Sequence, residues 1–139
     1  MKYLLDTNIV SEWKKPRPET KVISWLDGLD EESLFLSEIV MAELRRGAEK
    51  LAEGARRKAI EIFIEDELPE RFEGRILGVD RAVADAWGRL MARSEAAGRR
   101  MSAMDCFQAA IAECHEMILV TRNSSDFLSY DGEIVNPWD

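Results

Sequence analysis

The sequence predicts an α/β fold, with one parallel sheet carrying helices on both faces. Three observations point to it. Short apolar runs recur at Lys2–Leu5, Ser33–Leu36, Arg75–Val79 and Met117–Thr121, with a weaker fifth at Glu133–Val135. Between them lie stretches whose apolar residues repeat at helical spacing. Most of those stretches begin just after Ser, Asp or Asn, the residues that cap helix N-termini. Strands that alternate with helices build parallel sheets covered on both sides. No repeat, low-complexity segment or long linker interrupts the pattern. Residues 1–139 therefore read as one domain, long enough for a real core.

Element by element, Lys2–Leu5 is a short buried strand. Asn8–Lys14 is a helix started by Asp6, Thr7 or Asn8, and Pro16 and Pro18 break the chain after it. Glu19–Leu29 is amphipathic, with Val22, Trp25, Leu26 and Leu29 on one face. After the strand Ser33–Leu36, Ser37 caps a helix reaching about Gly47. Residues 50–67 continue as a helix with Ile60, Phe63 and Ile64 apolar, ending near Pro69. Asp80 caps the helix 81–97, which stops at Gly98; Ser102 caps Ala103–Cys114. Trp13, Trp25 and Trp87 fall on amphipathic helices as core or interface anchors, and Trp138 should pack the tail onto the body.

Composition narrows the function. Charged residues are 33% and the hydrophobic set 46%, the balance of a soluble globular protein. No run approaches the roughly 20 apolar residues of a membrane span. The N-terminal apolar run stops at Asp6, so it is not read as a signal peptide, and the chain is expected in the cytoplasm. Cys106 and Cys114 share one helix about 12 Å apart, too far for a disulfide, and are expected to be buried thiols. The net charge of −8 argues against non-specific nucleic-acid binding. Local basic clusters at Lys14-Lys15-Pro16-Arg17, Arg45-Arg46, Arg56-Arg57-Lys58 and Arg99-Arg100 leave room for an RNA contact, although each also reads as a solvated surface.

The acidic positions are the most informative. Asp6 ends the first strand, and the active edge of a parallel sheet is the carboxyl end of its strands. Glu43 lies on the helix leaving the second strand. Asp105 begins the helix that feeds the fourth, which returns it to the same edge. Asn123 and Asp126 follow that fourth strand. Singly, each has a plain structural reading. Asp6 is an N-cap, Ser102-x-x-Asp105 a capping box, Glu43 a surface ion-pair residue beside Arg45 and Arg46, and Asn123–Asp126 a turn. Together they form a carboxylate cluster, which raises its own pKa values by repulsion unless a cation joins it. Hard divalent cations such as Mg²⁺ or Mn²⁺ prefer such oxygen ligands. The expectation is metal-dependent phosphodiester chemistry, with Thr7 and Thr121 as hydroxyl donors to phosphate or to the carboxylates. His115, the single histidine, falls at a helix C-terminus, which leaves little for a histidine base or a zinc site. The patterns G-x-x-x-x-G-K-S/T, G-x-G-x-x-G and G-x-S-x-G are absent. A haloacid-dehalogenase-type phosphatase would need Asp where Asn8 stands.

Four segments also carry a resemblance. They are Leu4–Ser11 (LLDTNIVS), Leu36–Gly47 (LSEIVMAELRRG), Ala103–Ala112 (AMDCFQAAIA) and Val120–Phe127 (VTRNSSDF), with the Asn136-Pro137-Trp138 ending. In this order and spacing they resemble PIN-domain ribonucleases, most closely VapC-type toxins of type II toxin–antitoxin modules in the FitB-like branch. The resemblance implies a three-layer α/β/α PIN domain with a five-stranded parallel sheet. It implies Mg²⁺- or Mn²⁺-dependent endonucleolytic cleavage of RNA, the metal held by Asp6, Asp105 and Glu43. Asn123 stands where relatives with a full quartet have Asp, so the fourth site residue is either Asn123 or Asp126. The resemblance also implies a homodimer, assembling as a heterotetramer or larger with a small cognate antitoxin, and DNA contacts only through that antitoxin. An amphipathic antitoxin segment is expected in an apolar groove between segments 19–29 and 37–67, with a basic side chain reaching Asp6 and Asp105. The alternative is a catalytically inactive PIN-like binding or regulatory protein.

Overall fold

The computed structural model describes all 139 residues. Five short strands form one sheet: β1 Tyr3–Leu5, β2 Leu34–Ser37, β3 Ile76–Leu77, β4 Ile118–Val120 and β5 Ile134–Val135. Their order is β3-β2-β1-β4-β5, and every neighbouring pair is parallel. The helices are α1 Thr7–Val10, α2 Thr20–Asp27, α3 Glu38–Glu49, α4 Ala55–Ile62, α5 Leu68–Arg71, α6 Arg81–Ala96 and α7 Ala103–Cys114. The α/β expectation and the five strands are borne out.

Alternation along β1 divides the core. Leu4 faces a cluster with Leu119 and residues of α6 and α7, including Leu90, Cys106 and Ile111. Leu5 faces the opposite cluster with Val120, Leu36 and residues of α1 to α5. The sheet is thus sandwiched between two helical layers. Its order reverses between β1 and β4, because β2 and β3 lie to one side and β4 and β5 to the other. Open α/β sheets place their ligand crevice outside the strand carboxyl ends at such a switch point. Leu5 pairs with Val120, so β1 and β4 deliver Asp6 and Thr121 to that crevice side by side.

The predicted helix over 50–67 is not continuous. The chain turns at Gly54, whose φ of +151° suits only glycine, and α4 begins at Ala55. After Ile62 it widens into a π turn over Phe63–Glu67, closed by Leu68 N–H on the Phe63 carbonyl. It then continues through Pro69 into α5 instead of ending there. Phe63, Ile64, Leu68 and Phe72 all lie in the core across this segment. Pro69 falls in the first turn of the new helix, where its missing N–H costs little.

Helix α6 ends in a Schellman motif. Gly98, at φ +70°, donates to Glu95, and Arg99 donates to the Ser94 carbonyl. The buried Ser94 hydroxyl then accepts from Met101 N–H at 3.3 Å, which aims Ser102 at the start of α7. The tail packs as expected: Arg122 lies over the Trp138 ring at 5.0 Å, and Lys21 Nζ donates to its carbonyl at 3.2 Å. His115 caps the C-terminus of α7, also as expected. Cys106 is buried, but Cys114 is exposed, a correction explained by its place in the last turn of α7, beyond the sheet-facing stripe.

Candidate active site

Asp6 follows β1 and caps α1, so a local capping preference fixes its backbone. It is only 6% exposed, yet four donors meet its carboxylate. Thr7 N–H at 2.8 Å and Gln108 Nε2 at 3.4 Å reach Oδ1; the Thr121 hydroxyl at 2.8 Å and Asn8 Nδ2 at 3.4 Å reach Oδ2. The plain N-cap reading of Asp6 is therefore correct but incomplete.

Glu43 sits on α3, whose N-terminus is capped by Ser37 through Val40 N–H at 3.2 Å. Its Oε1 accepts from the Thr7 hydroxyl at 2.8 Å. Burial raises its pKa; the Thr7 bond opposes that, the Asp6 charge adds to it and Arg46 eases it. Asp105 occupies the first turn of α7, where its N–H donates to the capping Ser102 Oγ at 3.1 Å. Burial pushes its carboxyl up to about 6. The Ser102 hydroxyl acts against the rise, and the charges of Asp6, Asp126 and Glu43 add to it. The capping expected of Ser102 is present alongside this mutual repulsion.

The fold thus brings Asp6, Glu43, Asp105 and Asp126 into one electrostatic neighbourhood. No Lys, Arg or His makes an ion pair with any of them. Asp126 also shares a cleft of about 600 Å³ with Asp105, Ser102, Arg99 and Arg100. Asn123, exposed like Asp126, does not line that cleft; its N–H donates to the Thr121 hydroxyl at 3.2 Å, and its carbonyl accepts from Asp126 N–H at 3.0 Å. Its backbone shapes the turn that carries Asp126.

Two amides complete the arrangement and were not anticipated. Asn8 bridges Asp6, the Thr121 hydroxyl at 3.3 Å and Arg122 N–H at 3.1 Å, tying the end of β1 to the loop after β4. Gln108 is fully buried among alanines on α7 and accepts a short hydrogen bond from the Ser37 hydroxyl. Its signal was available: it is the one strongly polar side chain in the run Cys106–Ala112.

No three Asp, Glu, His or Cys side chains form a ready-made metal-holding group. The chemistry of the donor set still fits a hard divalent cation. It consists of oxygen ligands alone, none of them ion-paired and one pushed up to about 6. Mg²⁺ commonly retains several waters and takes only one or two carboxylates directly, so a cage is not required.

Glu43 also lines a groove of about 340 Å³ with Leu44, Ile60 and Phe63, and the basic Lys14, Lys15 and Arg56 share its lining. Helices α3 and α4 border it as expected. Residues 19–29 do not, because α2 turns Val22 and Leu26 inward to the core.

Comparison with known proteins agrees with this architecture. Residues 3–133 match the PIN domain model. The chain is 36% identical to Toxin FitB of Neisseria gonorrhoeae over 135 residues, covering 97% of each. It is 35% identical to VapC ribonuclease Y4jK of Sinorhizobium fredii over 136 residues, covering 98% of this chain and 97% of that one. A solved structure of FitAB bound to an IR36 DNA fragment contains a chain that superimposes with a TM-score of 0.92 at 35% identity, covering 99% of this chain and 96% of that one. By the span of the domain match and by these relatives, the chain belongs to the PIN-domain family and groups with its FitB and VapC members.

Proposed function

We propose that the protein is the toxin of a toxin–antitoxin pair and an endoribonuclease dependent on Mg²⁺ or Mn²⁺. The observation that carries this is a group of four carboxylates, none of them ion-paired, three of which raise the fourth, Asp105, beside the switch-point crevice of the sheet. The ribonuclease and toxin names of relatives 35–36% identical over nearly the whole chain support it.

Asp6 and Asp105 would hold the metal directly, and Glu43 would bind it or orient its water. A divalent cation there supplies Lewis-acid stabilisation of a phosphodiester and acidifies water for in-line attack. The residues of this chain do the positioning. Thr7, Thr121, Asn8 and Gln108 hold the Asp6 oxygens, and the Thr7 hydroxyl holds Glu43. The N-terminus of α7 directs its free N–H groups toward the crevice, which favours an anionic substrate. Arg99 and Arg100, on the cleft shared with Asp105, supply positive charge that the protein as a whole lacks.

The groove beside Glu43 would receive an apolar segment of an antitoxin, in a homodimeric assembly whose DNA contacts come from that partner. The solved structure of FitAB bound to a DNA fragment supports this reading. The test is to incubate purified protein with total RNA in Mn²⁺ or in chelator and to sequence the new 5′ ends. Discrete cuts that need the metal are expected. Intact RNA in both, with stable antitoxin binding, would show a binding protein instead.

The fourth acid is assigned to Asp126, because it lines the cleft with Asp105 and Asn123 does not; the hydrogen bonds of Asn123 run through its backbone. Asp126→Ala should lower cleavage about tenfold, the effect of removing roughly 1.4 kcal/mol of stabilisation. Asn123→Ala should stay within about threefold. Cleavage rates at saturating Mn²⁺ decide it, and the reverse order would move the role to Asn123.

A further inference from the structure

Gln108 joins the three elements that carry the acids. It lies one turn after Asp105 on α7. Its Nε2 donates to Asp6 Oδ1 at 3.4 Å, and its Oε1 accepts from the hydroxyl of Ser37, the cap of the helix bearing Glu43. Both Gln108 and Ser37 are 0% exposed. The amide orientation is fixed by chemistry. A carboxylate only accepts, so the nitrogen must face Asp6, and the oxygen is left to accept from Ser37. The Ser37 hydroxyl in turn accepts from Val40 N–H at 3.2 Å, so no polar atom in the relay is wasted.

We infer that Gln108 is a positioning residue for the metal site, holding Asp6 in register with the α3 helix that carries Glu43 and the α7 helix that carries Asp105. This rests on the metal-dependent reading above. Partners that orient ligating carboxylates typically change metal affinity or activity by about 10–100-fold when removed. A buried amide in an otherwise apolar stripe has no packing advantage over leucine, so its role lies in these two hydrogen bonds.

The test compares Mn²⁺ affinity, measured by calorimetry on folded protein, for the wild-type chain, Gln108→Leu, Ser37→Ala and the double variant. Leucine fills a similar volume, which favours folding. Gln108→Leu should weaken Mn²⁺ binding about tenfold or more. Ser37→Ala should weaken it less, because the donor to Asp6 survives, and should add little in the Gln108→Leu background. In cleavage assays, kcat should fall with KM for RNA unchanged, and excess Mn²⁺ should restore it. If Gln108→Leu fails to fold, Ser37→Ala alone carries the test through the same Mn²⁺ affinity. Wild-type Mn²⁺ affinity in the folded variants, or kcat that excess Mn²⁺ does not restore, would overturn the assignment. A wild-type chain that binds no Mn²⁺ would overturn the metal-dependent reading with it.

Discussion

Asp6→Asn is expected to lower RNA cleavage about a thousandfold or more while leaving the chain folded. The loss follows from the metal reading. Lewis-acid stabilisation of a phosphodiester is worth several kcal/mol, and each 1.36 kcal/mol is tenfold in rate. The fold should survive because the bonds on one side of Asp6 tolerate an amide. Asn Oδ1 can still accept from Thr7 N–H and Gln108 Nε2. On the other side, the Thr121 hydroxyl already accepts from Asn8 Nδ2 and Asn123 N–H, so it can take the new NH₂ only by releasing one of them. The Asn8 contact, at 3.4 Å, also becomes donor against donor. Against that, one charge leaves the group that raises Asp105 and Glu43. The melting temperature in chelator should therefore stay within a few degrees of wild type. A variant that melts normally and still cuts RNA at the wild-type rate would remove Asp6 from the site.

What could be read in the sequence was whatever depends on a few neighbouring residues or on topology. Ser37, Asp80 and Ser102 each cap a helix as expected, because an N-cap bond spans only three residues. The acids were legible because a parallel sheet sends the end of β1, the start of α7 and the loop after β4 to one edge. The break at Gly54 and the π turn at Phe63–Glu67 were not. The apolar spacing of Ile60, Phe63, Ile64 and Leu68 fits an ordinary helix, so the pattern carries no mark of either irregularity. Asn8 and Gln108 were missed for a related reason. A neutral amide leaves no charge pattern, and the partners of Gln108 lie 71 and 102 residues away in sequence. Asp126 and Asn123 could not be separated in the sequence, since they lie three residues apart in one turn and only the fold shows that Asp126 lines the cleft with Asp105.

Acid should act in opposite directions on the metal-free protein and on the metal-bound one. Asp105 titrates at about 6 in the folded chain against an ordinary 3.8. Its folded pKa is raised, so its favourable contribution is fully present below about 3.8 and is lost as pH rises through 6. In chelator, the protein should therefore become more stable as pH falls from 7 to 5. The whole unscreened shift corresponds to roughly 3 kcal/mol, of which about 1.4 kcal/mol falls between pH 7 and 5. Asp105 is only partly buried, so solvent screening reduces this to about 0.5 kcal/mol, or about 2 degrees of melting temperature. Metal binding needs the ionised form, so protons compete with Mn²⁺ at the same oxygens. Affinity should fall about tenfold between pH 7 and pH 5 from Asp105 alone, and more steeply because Glu43 is raised too. Melting curves in chelator and Mn²⁺ titrations at the two pH values would show the crossing. Asp105→Asn should flatten the first dependence and abolish most Mn²⁺ binding at either pH. If instead the metal-free protein loses stability between pH 7 and 5 and Asp105→Asn loses it equally, Asp105 is not the group that carries the strain of the site.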